Sequence, residues 1–343
     1  MAATMQQVAD AAGVSIATVS FVVNNSKPVT PATRRRIEQA MDKLGYQRNL
    51  VARALASRRT RILALAYPTF DYRVGGSLTQ FVVATSSAAA QAGYHLVIAP
   101  VSNDATELTD LVGQGLVDGV LLMEVQLHDA RVDALRQQGT PYSLIGRTAD
   151  TTGLHYVDID FDRTMRLAMQ HLRTLGHQRI ALINGGPDEP SGHDYGVFVR
   201  IEAAYRDQVA LAGDAPVVVP STHNVASGRH AVRELLANHP TVTAVIVCDE
   251  AGSVGVTIEA GIQGRRIPED LSILSVLSTR EAASLSVPEL TIVSVPAPEL
   301  GRLGVESLIR QLDGPEPLPP QLCTGQFIMG SSTGPPSASV KFG

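Results

Sequence analysis

Polar side chains follow several short apolar runs of the chain, where buried strands are expected to end. Glu124 comes after Gly119–Met123, and Asp249 and Glu250 come after Ala244–Cys248. Ligands of open parallel sheets bind outside the carboxyl ends of the strands, so these positions are candidate ligand contacts. Carboxylates, arginine and an aromatic ring suit a hydroxyl-rich ligand. The same rule adds Phe70–Tyr72, Gly146–Arg147, Asp158, Asp160, Asn184, His223 and Ser275–Ser278.

The sequence lacks the patterns that mark common enzyme and metal sites. Asn184-Gly185-Gly186-Pro187 has no Lys-Ser/Thr of a P-loop, and no G-x-G-x-x-G follows the first expected strand. The nine histidines show no H-E-x-x-H or paired Cys/His spacing, and no G-x-S-x-G elbow occurs. We therefore expect no catalytic residue, metal or cofactor. His177 is interpreted as a residue at a helix end.

The elements that must position these residues alternate between strand and helix. Ile62–Ala66 is typical of a buried strand, Leu78–Ala92 has helical spacing, and Tyr94–Ala99 is typical of the next strand. Such alternation predicts parallel sheets covered by helices on both faces, and its length favours two lobes. Further strands are predicted at Tyr142–Ile145, Ile180–Asn184, Pro216–Val219 and Leu271–Val276, and helices at Thr164–Leu175, Ser227–Asn238 and Gly252–Ala260.

Charge is divided unevenly along the 343 residues, which carry a net charge of −5. Residues 1–61 hold ten basic and three acidic side chains, so this segment carries +7 and the remainder carries −12. A small basic segment suits binding to a phosphate backbone, although a solvated charged face is the alternative. Two cysteines, no signal sequence and no long apolar run favour a globular cytoplasmic protein that has no membrane span.

The basic segment has the pattern of three short helices. Met5–Ala12 and Ile16–Val23 flank a tight turn at Gly13–Ser15, which predicts a helix-turn-helix whose second helix fits the major groove of DNA. The third helix, Pro31–Leu44, begins after Thr30 and stops at Gly45. Its Ile37, Ala40, Met41 and Leu44 are expected to close the small core.

An ordered set of residues extends across this segment: Val8-Ala9, Ala12-Gly13-Val14-Ser15, Thr18-Val19-Ser20, Asn24, Thr33-Arg34, Leu44-Gly45-Tyr46, Asn49, Ala52-Arg53 and Leu55-Ala56. The set resembles the head of the lactose and galactose repressor (LacI/GalR) family. The resemblance implies a helix-turn-helix DNA-binding domain at residues 1–47 and a hinge helix or linker at 48–61. In that family the leucine matching Leu55 wedges into the minor groove when a dimer binds. An ordinary packed leucine is the alternative.

The sequence differs from the family at recognition-helix positions that contact bases. Ile16, Ala17 and Phe21 stand where the family tends to have polar readers, and arginine is frequent at the last of these positions. None of the three can make the bidentate guanine contact of arginine, so we expect contact with thymine methyl groups. Arg48 replaces the family's proline, which should loosen the entry to the hinge. The DNA contacts implied are Ser15, Ile16, Ala17, Thr18, Ser20, Phe21, Asn24, Thr33, Tyr46, Asn49, Ala52 and Leu55.

Further phrases extend the resemblance to the family's effector-binding core: Gly93-Tyr94, Val117-Asp118-Gly119, His171-Leu172, Leu175–Ala181, Pro268–Ser272 and Leu300-Gly301. The resemblance implies an α/β fold in which a two-lobed, periplasmic-binding-protein-like core with parallel sheets follows the helix-turn-helix head. The N-terminal lobe would comprise residues 62–160 and 291–319, and the C-terminal lobe 161–290 and 320–332. The chain would cross between lobes near Asp160, Thr291 and Pro320. Residues 333–343, rich in Ser, Gly and Pro, are predicted to be disordered.

Three side chains with which the family usually grips a sugar are absent. The family's Asn-Asp is Cys248-Asp249, its Gly-Phe/Tyr-Asp-Asp is Ser275–Ser278, its Asn-Pro-Phe-Phe is Gly75–Leu78, and its arginine falls at Ile201, next to Arg200. Other polar groups are expected to substitute for them, although a surface or helix-capping role is the alternative for each. The effector-binding residues expected are Tyr72, Glu124, Arg147, Arg200, His223 and Asp249.

These observations predict a sequence-specific transcriptional regulator, a repressor, that binds a double-stranded palindromic operator as a homodimer. Its operator affinity would be modulated by a small polar effector, a sugar or sugar derivative. One alternative is a solute-binding protein without a transcriptional role, which the missing signal sequence and the basic segment oppose. Another is a sugar-modifying enzyme of similar lobed shape, which the missing catalytic pattern opposes.

Overall fold

A computed structural model of the chain describes residues 3–24, 27–46, 59–68, 76–185, 194–314 and 318–337. The chain divides into two compact units, residues 1–60 and 61–343. Within the described ranges, no single helix is long and apolar enough to cross a membrane. The helices at Met5–Ala12 and Ile16–Val23 pass this test of length and composition only when joined, and they are bent by 106° relative to each other.

The described residues of the first unit form three short helices, whose bounds lie within one residue of those predicted. They are α1 (Met5–Ala12), α2 (Ile16–Asn24) and α3 (Pro31–Leu44). Gly13 ends α1 with a φ of 62°, a left-handed conformation that a residue without a Cβ adopts at little cost. Ser15 Oγ accepts a hydrogen bond from Thr18 N at 3.2 Å, which caps the start of α2.

The core of the first unit is small and apolar. Val8, Val19 and Ile37 are fully buried, and Ala40 is buried beside them. Leu44 is 39% exposed, so its predicted place in the core is wrong. Because α3 has 14 residues while α1 and α2 have 8 and 9, the last turn of α3 has less to pack against.

The described residues of the second unit form two six-stranded sheets. The first runs in the order β11-β5-β4-β3-β1-β2 and the second in the order β12-β10-β9-β8-β6-β7. All neighbouring pairs are parallel except β10 and β12. The strands are β1 (Ile62–Pro68), β2 (His95–Val101), β3 (Gly119–Leu122), β4 (Tyr142–Ile145), β5 (Tyr156–Ile159), β6 (Ile180–Asn184), β7 (Val218–Pro220), β8 (Ala244–Val247), β9 (Ser272–Ser278), β10 (Thr291–Ser294), β11 (Gln321–Cys323) and β12 (Phe327–Ile328).

Helices cover the faces of both sheets. Leu63–Ala66 in β1 are fully buried, as continuous apolar strands in parallel sheets must be when both faces are covered. The described helices of this unit are α4 (Gly76–Gln91), α5 (Thr106–Gly113), α6 (Ala130–Gln138), α7 (Phe161–Thr174), α8 (Gly196–Leu211), α9 (Val225–Asn238), α10 (Glu250–Ile262), α11 (Arg280–Ala283) and α12 (Ala297–Asp313).

Two of the three predicted lobe boundaries are wrong. The first sheet ends at β5 and the second lobe begins with α7, on either side of Asp160. Thr291, however, begins β10, which pairs with β9 in the second sheet, so the chain returns to the first lobe only between Ser294 and Ala297. The last crossing lies beyond Pro320, because β11 pairs with β5 and β12 pairs with β10. The lobe to which each of these strands belongs depends on pairing with residues distant in the chain, which the local sequence does not reveal.

The predicted disorder of residues 333–343 is wrong for residues 333–337. His177 Nε2 donates to Gly334 O at 2.9 Å, and Ser337 N donates to Glu269 O at 3.2 Å. His177 follows the end of α7 as predicted, and its backbone N donates to Leu172 O of the last turn at 3.1 Å. Its side chain is buried, and burial lowers its pKa. The small residues that suggested disorder fit closely against the second sheet, where their backbone finds partners. Residues 338–343 lie outside the described residues.

Candidate nucleic-acid interface and effector cavity

Helix α2 presents a mixed polar and apolar face. Val19, Val22 and Val23 are buried on its inner side, whereas Ile16 is 45% exposed. Of the predicted DNA contacts, Ser15, Ile16 and Ala17 are exposed, and Thr18, Ser20, Phe21, Thr33 and Tyr46 are half-buried. The side chain of Asn24 and the residues Asn49, Ala52 and Leu55 lie outside the described residues.

The ring of Phe21 lies under a positive charge. Lys27 Nζ is 4.9 Å from the centre of the Phe21 ring, a cation–π arrangement. Apolar Ile16 and Ala17 stand on the same helix and lack hydrogen-bond donors in their side chains. This surface can contact methyl groups in the major groove and phosphates beside it, but it has no side chain at these three positions for bidentate guanine recognition.

A cavity of about 300 Å³ lies between the two lobes, at the carboxyl ends of the strands. Its volume is at the lower end of the range for small-molecule sites, roughly 300 to 1,000 Å³. The first lobe contributes Tyr67 from β1, Glu124 after β3 and Asp158 from β5. The second lobe contributes Arg200, His223, Asp249 and Glu250.

Four of the six predicted effector residues line this cavity, namely Glu124, Arg200, His223 and Asp249. Arg147 does not line it, but Arg147 Nη1 lies 3.2 Å from Oδ2 of Asp158, which does. Tyr72 lies outside the described residues. Residues that follow the carboxyl ends of different strands are far apart in the chain but lie together at this cavity.

Asp158 is the most deeply buried carboxylate of the cavity wall, with a side chain 6% exposed. Burial raises the pKa of Asp158 to about 6, and the nearby Arg147 opposes part of this shift. Arg200 donates from Nη2 to Thr148 O at 3.0 Å, and burial lowers its pKa. The two arginines therefore compensate charge at the Asp158 end of the cavity.

Asp249 has a structural role as well as a place in the cavity wall. Its Oδ2 accepts a hydrogen bond from Gly252 N, so Asp249 caps the start of α10. Its Oδ1 lies 3.4 Å from Nδ1 of His223. The helix-capping alternative considered for this residue is therefore realised alongside the cavity position.

Aromatic rings line the cavity at positions that the sequence analysis did not single out. Phe198 packs on His223 with 4.4 Å between the ring centres, and Tyr67, Phe81 and Phe161 add further apolar wall. Phe198 lies in α8, a helix that was not among those predicted. A search for helical periodicity between β6 and β7 would have given the only signal for it.

Several other strand-end candidates serve the fold. Asp160 caps α7 by accepting from Arg163 N at 2.8 Å, and Asn184 donates from Nδ2 to Phe198 O at 3.0 Å. Ser275 is buried and accepts from Ser253 Oγ at 2.8 Å. These three residues stabilise the cavity wall without lining the cavity.

Both structural units match models of known protein families. The family model "Bacterial regulatory proteins, lacI family" matches residues 4–49, and the model "Periplasmic binding protein-like domain" matches residues 169–333. The HTH-type transcriptional regulator CelR of Thermobifida fusca is 31% identical over 340 residues, covering 96% of this chain and 98% of CelR. The chain belongs to the LacI family of bacterial regulatory proteins. Catabolite control protein A of Priestia megaterium is 28% identical over 320 residues, covering 91% of this chain and 93% of that protein.

Solved structures of LacI-family proteins share the fold. A complex of the transcriptional regulator CelR with cellobiose superposes with a TM-score of 0.71 at 29% identity, covering 96% of this chain and 99% of that one. The Lac repressor dimer bound to operator and the anti-inducer ONPF gives a TM-score of 0.84 at 25% identity, covering 97% and 100%. The helix-turn-helix head, the α/β core and the regulatory function predicted from the sequence are thereby confirmed.

In this LacI-family core, hydrogen bonds cross the cleft beside the cavity. Leu127 N donates to Asp194 O at 2.7 Å, and Gly196 N donates to Val125 O at 3.0 Å. Across another part of the cleft, Ser77 N donates to Glu250 Oε2 at 3.4 Å. A ligand in the cavity therefore lies among contacts whose strength depends on how the lobes are arranged.

Proposed function

We propose that this LacI-family chain is a cytoplasmic repressor that binds a palindromic operator as a homodimer and releases or strengthens that binding when a sugar or sugar derivative occupies the interlobe cavity. The observation that carries the proposal is the cavity itself, which polar side chains of both lobes line in a chain whose head matches the family's DNA-binding model. The sugar class draws support from the CelR complex with cellobiose. No catalytic step is part of the proposal.

The operator would be read in part through apolar contacts. Ile16, Ala17 and Phe21 would contact thymine methyl groups, while Lys27 and other basic residues of the head contact phosphates. Ser15, Thr18, Ser20, Asn24, Thr33, Tyr46, Asn49 and Ala52 complete the proposed contact set. Leu55 would insert into the minor groove, where an apolar wedge costs unstacking energy but allows the kinked duplex to contact more protein.

The effector would be held between Asp249 and Arg200, with Glu124, His223 and Tyr72 as further contacts. Arg147 would act through Asp158, which it orients by their 3.2 Å ion pair. A ligand changes DNA affinity only by binding two lobe arrangements with different affinity. A typical coupling of 1 to 3 kcal/mol corresponds to about a 5- to 150-fold change in operator affinity.

Selection of bound sequences from random duplexes tests the DNA-binding part of the proposal. We expect a palindrome with half-sites about one helical turn apart, and a log–log salt dependence with a slope of roughly −0.9 per phosphate neutralised. Phe21→Arg should change the base preferred at one position of each half-site to guanine. Selection of no palindrome, or absence of duplex binding at low salt with and without sugars, would contradict the proposal.

Two substitutions test the hinge and the effector separately. Leu55→Ala should weaken binding to the selected operator by a few kcal/mol while non-specific binding changes little. For the effector, a thermal-shift screen of cellobiose and other sugars should find a compound that stabilises the protein and changes operator affinity. Asp249→Asn should remove that response and leave ligand-free DNA binding intact. If Leu55→Ala binds the operator as tightly as the parent does, Leu55 is an ordinary packed residue and does not insert into the minor groove.

A further inference from the structure

Asp158 is a buried carboxylate of the cavity wall whose hydrogen bonds are incomplete. Only 4% of the residue is exposed. Its Oδ1 accepts a hydrogen bond from Ile159 N at 2.8 Å, whereas Oδ2 accepts none of acceptable geometry from the residues that the structure describes. Arg147 Nη1 lies 3.2 Å from Oδ2 and compensates its charge, but Arg147 does not line the cavity. A buried acceptor in this state gains strongly from a hydrogen-bond donor on a ligand.

Arg200 acts on this carboxylate from the second lobe. Burial raises the pKa of Asp158, and Arg147 and Arg200 both oppose part of that shift. Within the described part of the chain, Arg200 and Asp158 form no direct ion pair with each other. Arg200 Nη2 donates to Thr148 O of the first lobe at 3.0 Å, while its Nε and Nη1 donate to none of the described residues. Unused donors of one lobe thus lie in the same cavity wall as an unused acceptor of the other.

The guanidinium of Arg200 has room at the wall because residue 196 is a glycine. A Cβ at position 196 would overlap Arg200 Nη1. Gly196 is itself joined to the first lobe, since its N donates to Val125 O at 3.0 Å. The place of Arg200 in the cavity therefore depends on the contact between the lobes.

A ligand group between Asp158 and Arg200 must donate to the carboxylate and accept from the guanidinium. A hydroxyl does both, and two adjacent hydroxyls can serve one side chain each. An anionic group accepts from Arg200, but it offers Asp158 no donor and places a second negative charge beside it. An ammonium group donates to Asp158, but it offers Arg200 no acceptor and lies beside a second positive charge.

We propose that Asp158 and Arg200 together bind two adjacent hydroxyls of the effector, which presents a neutral sugar ring, and not a carboxylate, phosphate or ammonium group, to this end of the cavity. The inference rests on the proposed function of the cavity and adds Asp158 to the residues that contact the effector. Hydrogen bonds to charged groups are roughly twice as strong as neutral ones. Because the two residues belong to different lobes, a sugar held in this way joins the lobes directly.

Matched ligands test the inference on the full-length protein at pH 8. The neutral sugars are glucose, galactose, mannose, ribose and cellobiose, and the charged counterparts are glucuronate, galacturonate and glucose 6-phosphate. We expect at least one neutral sugar to raise the melting temperature, and two adjacent positions of that sugar at which removal of the hydroxyl weakens binding by roughly tenfold or more. Equal or stronger stabilisation by a charged counterpart, or stabilisation by none of the neutral sugars, would overturn the inference.

Two variants with matched controls assign the hydroxyls to the two residues. Asp158→Asn should weaken binding of that neutral sugar by roughly fivefold or more because the acceptor loses its charge, whereas Asp160→Asn keeps an oxygen to cap α7 outside the cavity and should bind as the parent does. Arg200→Lys removes the planar fork and should weaken binding to a similar extent. Arg206→Lys, at an exposed ion pair with Glu202 on the same helix, should leave binding unchanged.

Deoxygenated sugars measured on these variants report direct contact. Removal of one of the two adjacent hydroxyls should cost less in Asp158→Asn than in the parent, and removal of the other should cost less in Arg200→Lys. A merely structural role for either residue would lower the affinity of every analogue equally. If both removals cost the same in the parent and in both variants, the inference is wrong.

A pH series supplies an independent measurement. Hydroxyls donate most strongly to an ionised carboxylate, and the pKa of Asp158 is about 6, so sugar affinity should fall severalfold between pH 7 and pH 5 in the parent. The fall should be smaller in Asp158→Asn, and equal falls would overturn the inference. The other groups facing Asp158 keep their charge state over this range, since Arg147 and Arg200 remain charged and burial raises the pKa of the Cys323 thiol on the adjacent strand. Titration of groups elsewhere on the wall persists in the variant and is subtracted by the comparison.

The possible results separate this inference from the proposed function. A neutral sugar that changes operator affinity but binds equally well to Asp158→Asn and the parent would overturn the inference and leave the proposed function standing. Loss of operator binding under all conditions would instead contradict the proposed function. The melting temperature of each ligand-free variant reports its folding independently of the sugar.

Discussion

Arg131 is fully buried and holds together the loop that carries Glu124 to the cavity. Its Nε donates to Asp129 Oδ1 at 2.9 Å and its Nη2 to Asp129 Oδ2 at 2.7 Å. Nη2 also donates to Glu124 O at 2.7 Å, and Glu124 has a φ of 50°. Replacing Arg131 by Met keeps much of the apolar volume but leaves the Asp129 carboxylate buried without its counter-charge.

The cost of Arg131→Met follows from what remains around Asp129. Removing one partner of a buried ion pair typically costs about 3 to 5 kcal/mol. Two backbone amides, Gln126 N and that of residue 131 itself, still donate to Asp129 at 3.0 Å, so the lower value of about 3 kcal/mol is expected. For a unit of this size the melting temperature should fall by roughly 5 °C.

Thermal unfolding followed by circular dichroism checks this value, with Arg302→Met as the matched control. The side chain of Arg302 is 51% exposed and pairs with Glu299 and Glu306 on the surface of α12. Such surface pairs are worth about 0 to 1 kcal/mol, so the control should melt within about 3 °C of the parent. If the two variants lose the same stability, burial does not make the Arg131–Asp129 pair more costly to break than a surface pair, and the reasoning is refuted.

Three further perturbations have expected outcomes in thermal unfolding. Asp249→Ala should cost about 0.5 to 2 kcal/mol because the cap of α10 is lost, whereas Asp249→Asn keeps an oxygen acceptor for Gly252 N and should melt near the parent; equal losses would contradict the capping role. Asp158 has its pKa raised to about 6, so the stability from its neutral form is present below pH 3.8 and lost as the pH rises through 6. Asp158→Asn should therefore melt above the parent at pH 8, and this difference in melting temperature should shrink between pH 6 and pH 4. A difference that stays constant over that range would refute the prediction. Removing residues 332–343 should lower the melting temperature, since Ser332 Oγ accepts from Thr291 N at 2.9 Å and Gly334 O accepts from buried His177; an unchanged melting temperature would refute these contacts.

Local patterns in the sequence were sufficient for most secondary structure. Tyr142–Ile145 and Ile180–Asn184 were predicted to the residue, because a short apolar run bounded by turn residues has few other interpretations. The caps at Thr30 and Gly45 likewise set both ends of α3. The ends of the predicted strands could then be located, and with them four of the residues that line the cavity.

These local patterns could not predict contacts between residues that are distant in the chain. The membership of Thr291–Ser294 in the second sheet depends on β9, and the order of residues 333–337 depends on His177 and Glu269. A buried Arg131 contradicts the usual exposure of arginine, and its bonds to the Asp129 carboxylate and to Glu124 O account for it. Such contacts become visible only when the fold brings the partners together.

Leu277 is an apolar residue of the cavity wall in a backbone conformation that polar residues adopt more readily. The residue lines the cavity with a φ of 59°, at the position where the sugar-binding relatives were expected to have an aspartate. Asp and Asn visit this left-handed region readily, whereas leucine does so at a cost of about 1 to 2 kcal/mol. The surrounding structure therefore imposes a conformation suited to a polar residue on an apolar one. With no carboxylate at 277, the acidic residues of the second lobe that line the cavity, among those the structure describes, are Asp249 and Glu250, at the start of α10 and beside Ser77 of the first lobe. A ligand bound there contacts both lobes, as it must if it is to bind their two arrangements with different affinity.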